Sequence, residues 1–323
     1  MPPTVTAVAG GVGAARLLSG LVGVVPAQQV TAVVNTGDDL VLHGLHVSPD
    51  LDTVTYTLAG ANDEARGWGL AGETWAAMEA LDRYGGWAPP GSLAGQTWFR
   101  LGDRDLATHL YRTQRLAEEA TLSEATAEIA RAWGVASRLL PMSDDRVETL
   151  ITLAGPEPGT SREVNFQDYF VRRRYSVAVE AVRFEGADEA QPAPGVLEAV
   201  AAAERVVICP SNPIVSIGPV LAVPGVEEAL AARRSDVVAV SPIVAGAALR
   251  GPADRLMREL GHEASVVGVA RLYAGLAGTL VVDEADAGLA GAVEAEGLRC
   301  VVAPTVMTGP TESAALARAV LSA

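Results

Sequence analysis

A doubly wound α/β fold, in three layers around a mainly parallel sheet with an inserted helical subdomain, is what this sequence predicts, and three observations carry the prediction. Short β-branched runs recur, each closed by Gly, Pro, Asn or Asp and followed by a segment of helical spacing. That alternation marks parallel βα units covered on both faces. The first junction places the glycine-rich stretch "AVAGGVGAARLLSGL" between a strand and a helix. From about residue 61 to about residue 140 the buried-strand signal stops and helical patterns replace it.

Taken in order, the expected sheet strands are Val5–Ala9, Val30–Val34, Val206–Cys209, Val237–Val240, Ser265–Val269, Thr279–Val282 and Cys300–Ala303. Two further strands, Val147–Leu153 and Tyr175–Phe184, read as an antiparallel pair or an edge. Inside the insertion, Asp103–Ala117 and Ser123–Trp133 have helical spacing, while Gly85-Gly86 and Pro89-Pro90-Gly91 break its first half. Four of the five tryptophans (Trp68, Trp75, Trp87 and Trp98) fall in that half. They suit either a cap over a site or an aromatic mini-core under a long loop. Pro192-Ala193-Pro194-Gly195 serves as a linker or as a loop entering a helix, and residues 1–323 are expected to form a single α/β domain with 61–140 inserted in it.

Composition narrows the function. The chain has 323 residues, 49% of them hydrophobic and 20% charged, which suits a sizeable core rather than disorder. Its net charge of −15 argues against unassisted binding to nucleic acid or an anionic membrane. A phosphate ligand must therefore be met locally, by backbone N–H groups, a few arginines or a divalent cation. Cys209 and Cys300 sit in apolar runs without a CxxC or Cys/His cluster and are expected to be structural. No apolar run reaches the length of a membrane span and no signal peptide opens the chain, so a cytoplasmic location is expected.

Three junctions carry the candidate chemistry, all at carboxyl ends of strands, where ligands bind in open α/β sheets. At the first, Gly10, Gly11 and Gly13 precede a helix carrying Leu17, Leu18 and Leu21, so free N–H groups and the helix dipole face an incoming anion. A P-loop needs Gly-Lys-Ser/Thr, whereas Gly13 is followed by Ala14-Ala15-Arg16, and Arg16 also spoils the dinucleotide fingerprint. A tight structural βα turn is the alternative.

At the second junction, Asn35-Thr36-Gly37-Asp38-Asp39 is followed by Ser48-Pro49-Asp50-Leu51-Asp52-Thr53. Four carboxylates this close raise one another's pKa unless a cation intervenes, so a Mg²⁺ site is inferred. Asp38 as a turn residue and Asp52 as an N-cap before Thr53 are the simpler roles for those two. At the third, Pro210-Ser211-Asn212-Pro213 is a polar turn able to hydrogen-bond a base or phosphate, and equally a plain turn. His109, alone on a predicted helix, is more often structural than catalytic.

The stretches "GGVGAARLL", "VVNTGDDL", "SPDLDTV", "WFRLGDRDLATH", "PMSDDRVET", "PSNPIVSIGP" and "VSPIVAGAALRGPADRLM", spread from Gly10 to Met257, resemble the 2-phospho-L-lactate transferase family of coenzyme F-420 biosynthesis. The resemblance implies a Rossmann-like α/β fold, usually a homodimer, that uses Mg²⁺. It implies transfer of a phosphoacid from a GDP-activated donor to the ribityl hydroxyl of the deazaflavin Fo, with release of GMP. The acid is 2-phospholactate in archaeal members and phosphoenolpyruvate in actinobacterial ones. "GGVGAARLL", in place of the archaeal "GGTGTPKLL" type, looks actinobacterial and favours phosphoenolpyruvate, giving dehydro coenzyme F-420-0.

Under this resemblance Asp50 and Asp39 are the catalytic candidates, and Asp39, Asp50 and Asp52 the metal candidates. Gly10, Gly11, Gly13, Asn35, Thr36, Ser211 and Asn212 are the candidates for substrate and nucleotide contacts. Asp50 could hold the metal or act as the base. The principal alternative is a regulatory protein of the gluconeogenesis-factor type, which binds a nucleotide or nucleotide-sugar. A nicotinamide oxidoreductase is weaker still, since Asn35 stands where an acid should close the second strand. A protein without ligand leaves the loop carboxylates unexplained.

Overall fold

The computed structural model describes residues 3–90, 92–155, 157 and 159–323. Its strands in chain order are β1 (Val5–Ala9), β2 (Val30–Val34), β3 (Leu40–Leu42), β4 (Leu45–Val47), β5 (Arg138–Pro141), β6 (Glu148–Ala154) and β7 (Ser161–Asn165). They continue with β8 (Val179–Glu185), β9 (Arg205–Ile208), β10 (Val237–Val240), β11 (Ile243–Val244), β12 (Ala247–Ala248), β13 (Thr279–Val282) and β14 (Arg299–Val302). Seven of them form one sheet in the order β14-β13-β10-β9-β1-β2-β5, and every pairing in it is parallel.

Alternation along each strand explains why both faces must be covered. Val5, Ala7 and Ala9 of β1, Val207 of β9 and Val238 and Val240 of β10 pack into one buried cluster. Their neighbours Val8, Val206, Ile208, Val237 and Ala239 pack into another on the opposite face. With period-2 side chains apolar on both faces, the sheet can be stable only as the middle layer. The first face is closed by helix α1 (Gly11–Val22), through Leu17, Leu18 and Leu21, together with the helix Pro310–Ser322, through Leu316, Ala317 and Val320. Sequence order reverses between β1 and β9, since the chain leaves β1 toward β2 on one side and returns to β9 on the other. That crevice at the carboxyl rim is the topological switch point.

The expected strands match apart from one, with small shifts at their ends. Ser265–Val269 is not a strand. Residues Val266–Tyr273 form a helix whose N-cap Ser265 accepts from the backbone N–H groups of Val267 and Gly268. Val266, Val269, Ala270 and Tyr273 are buried at helical spacing, so the cap and the period of burial override the β-branched composition. Strand β5 was not expected. Its four residues end in Pro141, which an edge position tolerates, and it joins the sheet through β2. The regions expected as Val147–Leu153 and Tyr175–Phe184 contain β6 and β8, which pair antiparallel and are joined by β7 in a separate three-stranded sheet.

Helices α2 (Pro49–Leu58), α3 (Ala76–Leu81), α4 (Asp105–Ala117) and α5 (Leu122–Ala132) follow in the first half. The last three lie in the stretch 61–140. Gly91, one of the breakers there, lies outside the described residues. Trp98 packs with Phe99 against a small core of Leu40, Leu42, Val47, Met78 and Leu101. Trp68 is half-exposed, Trp87 is exposed, and the Arg66 guanidinium lies over both Trp68 and Trp75. The tryptophans thus divide between a mini-core and the surface. Among the described residues no single helix is long and apolar enough to cross a membrane.

Candidate active site

A cavity of about 740 Å³ opens at the switch point. Its floor is the glycine loop. Gly10 precedes α1, and the turn after β9 is stitched to it: the Ser211 hydroxyl donates to the Gly10 carbonyl at 2.7 Å and accepts from the Gly10 N–H at 3.3 Å. A Cβ on Gly13 would stand 2.4 Å from the Pro210 carbonyl oxygen, so only glycine lets these two rims close together. Gly13→Ala is expected to cost about 1–3 kcal/mol of stability, because the obstacle is backbone. A melting temperature equal to the parent's would show that the two rims can separate freely.

The acidic wall comes from two elements. Helix α2 begins at Pro49 with Ser48 as its N-cap, so Asp50 and Asp52 lie in its first turn, where the helix dipole favours carboxylates. Asp52 is therefore inside the helix rather than capping it. Asn35, at the end of β2, donates from its Nδ2 to Asp50 Oδ2 at 3.0 Å and accepts the Gly37 N–H at 2.8 Å. Its amide is occupied in orienting Asp50, and Asn35 is fully buried. Burial pushes the Asp50 carboxyl up to about 6, against the hydrogen bonds from Asn35 and the Gly11 backbone.

Asp38 and Asp39 point to different places. Asp38 lines the cavity and is held well above the usual carboxylate range, first by burial and then by the charge of Asp50. Its Oδ1 is buried with no hydrogen-bond partner among the described residues. Asp39 does not line the cavity. It accepts from the Ser48 hydroxyl at 2.6 Å, and burial raises its pKa as well. Thr36 is likewise buried away from the cavity wall, its hydroxyl unpartnered among the described residues. Asn212 lines the cavity, but its Oδ1 accepts the Ile214 and Val215 N–H groups.

Asp52 belongs to a third arrangement that sequence reasoning did not assemble. Arg112, almost fully buried, makes a two-pronged pair with it, Nη1 to Oδ2 at 3.2 Å and Nη2 to Oδ1. Burial works against the Arg112 charge, but Asp52, through attraction and hydrogen bonds, together with the charges of Asp39 and Tyr56, raises its pKa overall. His109 faces Asp52 through Nδ1 at 3.6 Å and Asp105 through Nε2 at 3.2 Å, and the Tyr56 hydroxyl donates to Asp105. Asp105, His109 and Arg112 recur at i, i+4 and i+7 along α4, one helix face. That spacing was present in "RDLATHLYR", a polar stripe where an apolar one is usual.

Two groupings can therefore be tested as cation sites. Asp52, Asp105 and His109 offer ligand atoms within 4.8 Å of one another, a possible metal-binding cluster. There the Arg112 guanidinium already neutralises Asp52. Asp38 and Asp50 are the better fit for a hard divalent cation, with all-oxygen donors, a buried unpartnered oxygen and mutual repulsion that a cation would relieve. The cavity lining also includes apolar and aromatic side chains. Trp68 and Phe99 reach it from the 61–140 stretch. Phe166 and Phe170, stacked with centroids 5.4 Å apart, reach it from the segment after β7.

A family model described as 2-phospho-L-lactate transferase CofD matches residues 5–306. The chain is 48% identical over 320 residues to a phosphoenolpyruvate transferase of Kitasatospora aureofaciens, covering 98% of this chain and 97% of the relative. It is 46% identical to one from Streptomyces griseus, with the same 98% and 97% covered, and 41% identical to one from Mycolicibacterium smegmatis, again at 98% and 97%. Among solved structures it is similar to a UPF0052 family protein from Bacillus halodurans, with a TM-score of 0.59 at 19% identity over 99% of both chains. That last likeness concerns the fold.

Proposed function

The chain belongs to the 2-phospho-L-lactate transferase CofD family, and from that premise we propose that it transfers a phosphoenolpyruvyl group from a GDP-activated donor to the ribityl hydroxyl of Fo. The products are GMP and dehydro coenzyme F-420-0. The observation that carries this reading is the cavity's division into two chemistries. One cavity is lined both by a glycine loop with carboxylates and by Trp68, Phe99, Phe166 and Phe170, which suits a diphosphate and a deazaflavin ring held together. The choice of phosphoenolpyruvate over 2-phospholactate follows the names of the relatives at 41–48% identity.

In this reading the ribityl hydroxyl attacks the phosphorus bearing the enolpyruvyl group, and the bond to the GMP oxygen breaks on the far side. Positioning and charge neutralisation supply most of the rate in such transfers. The Gly13 N–H, in the first turn of α1, receives the diphosphate, while the Gly10 and Gly11 backbone N–H groups, bonded to Ser211 and Asp50, hold the loop in place. Asp50, oriented by Asn35, accepts the hydroxyl proton. Mg²⁺ would be held by Asp38, whose Oδ1 is unpartnered among the described residues, leaving Asp50 to act as the base, and would supply neutralisation of diphosphate charge. Asp39, tied to Ser48, and Asp52, tied to Arg112, support this wall from behind. We read 61–140 as a cap subdomain on a single domain, contributing Trp68 and Phe99 to the acceptor slot. Homodimeric assembly is carried from the resemblance and belongs to the same proposal.

A titration with Fo, followed by its own fluorescence in the presence of GDP and Mg²⁺, is expected to saturate and to weaken on chelation. Trp68→Ala is expected to lower Fo affinity about tenfold, the loss of one large aromatic contact. Trp98→Ala, whose ring packs in the mini-core, should lower the melting temperature and leave Fo affinity close to the parent's. Absence of any Fo response, with saturable binding of a UDP-sugar, would turn the assignment to the nucleotide-binding regulator.

A further inference from the structure

Three arginines line the cavity with no salt bridge among the described residues: Arg100, whose guanidinium lies 5.7 Å from the Trp75 ring centroid, and the two that concern the glycine loop, Arg16 and Arg250. Arg16 lies one turn beyond that loop on α1, and Arg250 in the loop after β12. Acidic residues outnumber basic ones 39 to 24, and Arg112, Arg183 and Arg271 are each paired with a carboxylate. Yet among the described residues no carboxylate lies within 4.0 Å of either Arg16 or Arg250. Each instead spends one nitrogen on a carbonyl: Arg16 Nη1 donates to Met307 at 2.8 Å, and Arg250 Nη1 to Arg66 at 2.8 Å.

The packing around Gly67 brings Arg250 to the helix that carries Arg16. Gly67 follows Arg66 with a φ of +82°, and a Cβ there would lie 2.4 Å from Arg250 Nη1 and 3.1 Å from Val12 Cγ1. The Arg250 head group therefore sits over the first turn of α1, and Arg16 is four residues along the helix from Val12, on the same face. Burial and then the Arg250 charge depress the Arg16 pKa, with the attraction of Glu64 opposing them. Two like charges held together at a cavity wall are unfavourable until an anion arrives, and a guanidinium presents paired N–H donors that match an oxyanion.

We propose that Arg16 and Arg250 form a clamp for an oxyanion group of the donor, a carboxylate or a phosphate, beside the glycine loop. The clamp deepens the transferase reading and rests on it for the identity of the donor. The Arg66 carbonyl and the bare Cα of Gly67 place the 61–140 stretch against this clamp, so the same stretch that contributes Trp68 to the acceptor side also fixes an arginine on the donor side.

Calorimetric titrations of the parent, Arg16→Gln and Arg250→Gln with inorganic pyrophosphate, phosphoenolpyruvate, GDP and, separately, Fo test it. At least one of the three anions should bind the parent and lose about tenfold or more in affinity in both variants, the scale of a lost hydrogen bond to a charged group. Fo affinity and melting temperature should stay close to the parent's. A loss confined to phosphoenolpyruvate assigns the clamp to the carboxylate end, and a loss shared by GDP and pyrophosphate assigns it to the diphosphate. Anion affinities unchanged in both variants overturn the clamp, as does a parent that binds none of the three. A parent that binds pyrophosphate through the arginines but ignores Fo would instead leave the clamp standing and remove the deazaflavin transferase reading.

Discussion

Asp50→Asn is expected to lower turnover by about 10²–10⁴-fold, the range for loss of a positioned general base, while the fold survives. The two halves of this expectation have separate causes. Asp50 lines the cavity in the first turn of α2, and both its orientation by Asn35 and its proximity to Asp38 depend on the buried setting. An amide of the same shape can still accept one of those bonds but cannot take a proton or offer an anionic oxygen. On stability the sign runs the other way. A carboxyl raised to about 6 by burial is one whose ionised form the fold disfavours. The stability it contributes when protonated is present below the ordinary carboxylate range and is lost as pH rises through about 6. At pH 7.5 the neutral amide removes that penalty, so the melting temperature should equal or exceed the parent's. Turnover within tenfold of the parent would take Asp50 out of the chemistry. A large fall in melting temperature would make it a structural residue.

Arg112→Met is expected to destabilise the protein by about 3–5 kcal/mol, because it strands a buried carboxylate. Asp52 and Arg112 are both buried and meet through two contacts, and His109 reaches Asp52 only at 3.6 Å. Such a loss should appear as a fall in melting temperature of roughly 4–7 °C. The companion variant, Arg112→Met with Asp52→Leu, replaces the whole pair by apolar groups and should recover much of the loss, as buried pairs commonly do. Activity should remain depressed in that double variant, since α2 and α4 would no longer be locked at the cavity wall. A single variant that melts with the parent would mean that water or His109 compensates Asp52. A double variant no more stable than the single one would place the loss in packing rather than charge.

Much of the architecture was written in local pattern. Val5–Ala9 followed by glycines and then Leu17, Leu18 and Leu21 can be satisfied by little other than a βα turn, because the alternation and the helical spacing each demand a buried partner. The same logic located two of the three strands of the side sheet, β6 and β8, but not β7. It failed at Ser265–Val269, where β-branched residues serve a capped helix, and at Arg138–Pro141, where a four-residue edge strand ending in proline leaves almost no periodic trace. Both failures are tertiary overrides of local preference.

The candidate site divides along the same line. The sequence by itself determined that a glycine loop, a carboxylate-rich junction and a polar turn share one rim of the sheet, because each follows a strand in a parallel βα order. Only the tertiary structure decided which carboxylate faces the cavity. In "NTGDDL" neighbouring residues differ by a turn geometry no spacing rule specifies, and it is Asp38 that lines the cavity beside Asp50, while Asp39 is held by Ser48. Arg112 on Asp52, Phe166 and Phe170 in the cavity lining, and Arg250 over Val12 come from segments about 60 to 240 residues away from their partners. Such contacts exist because the chain crosses over the sheet and returns, so they are properties of the packed fold and leave no local mark.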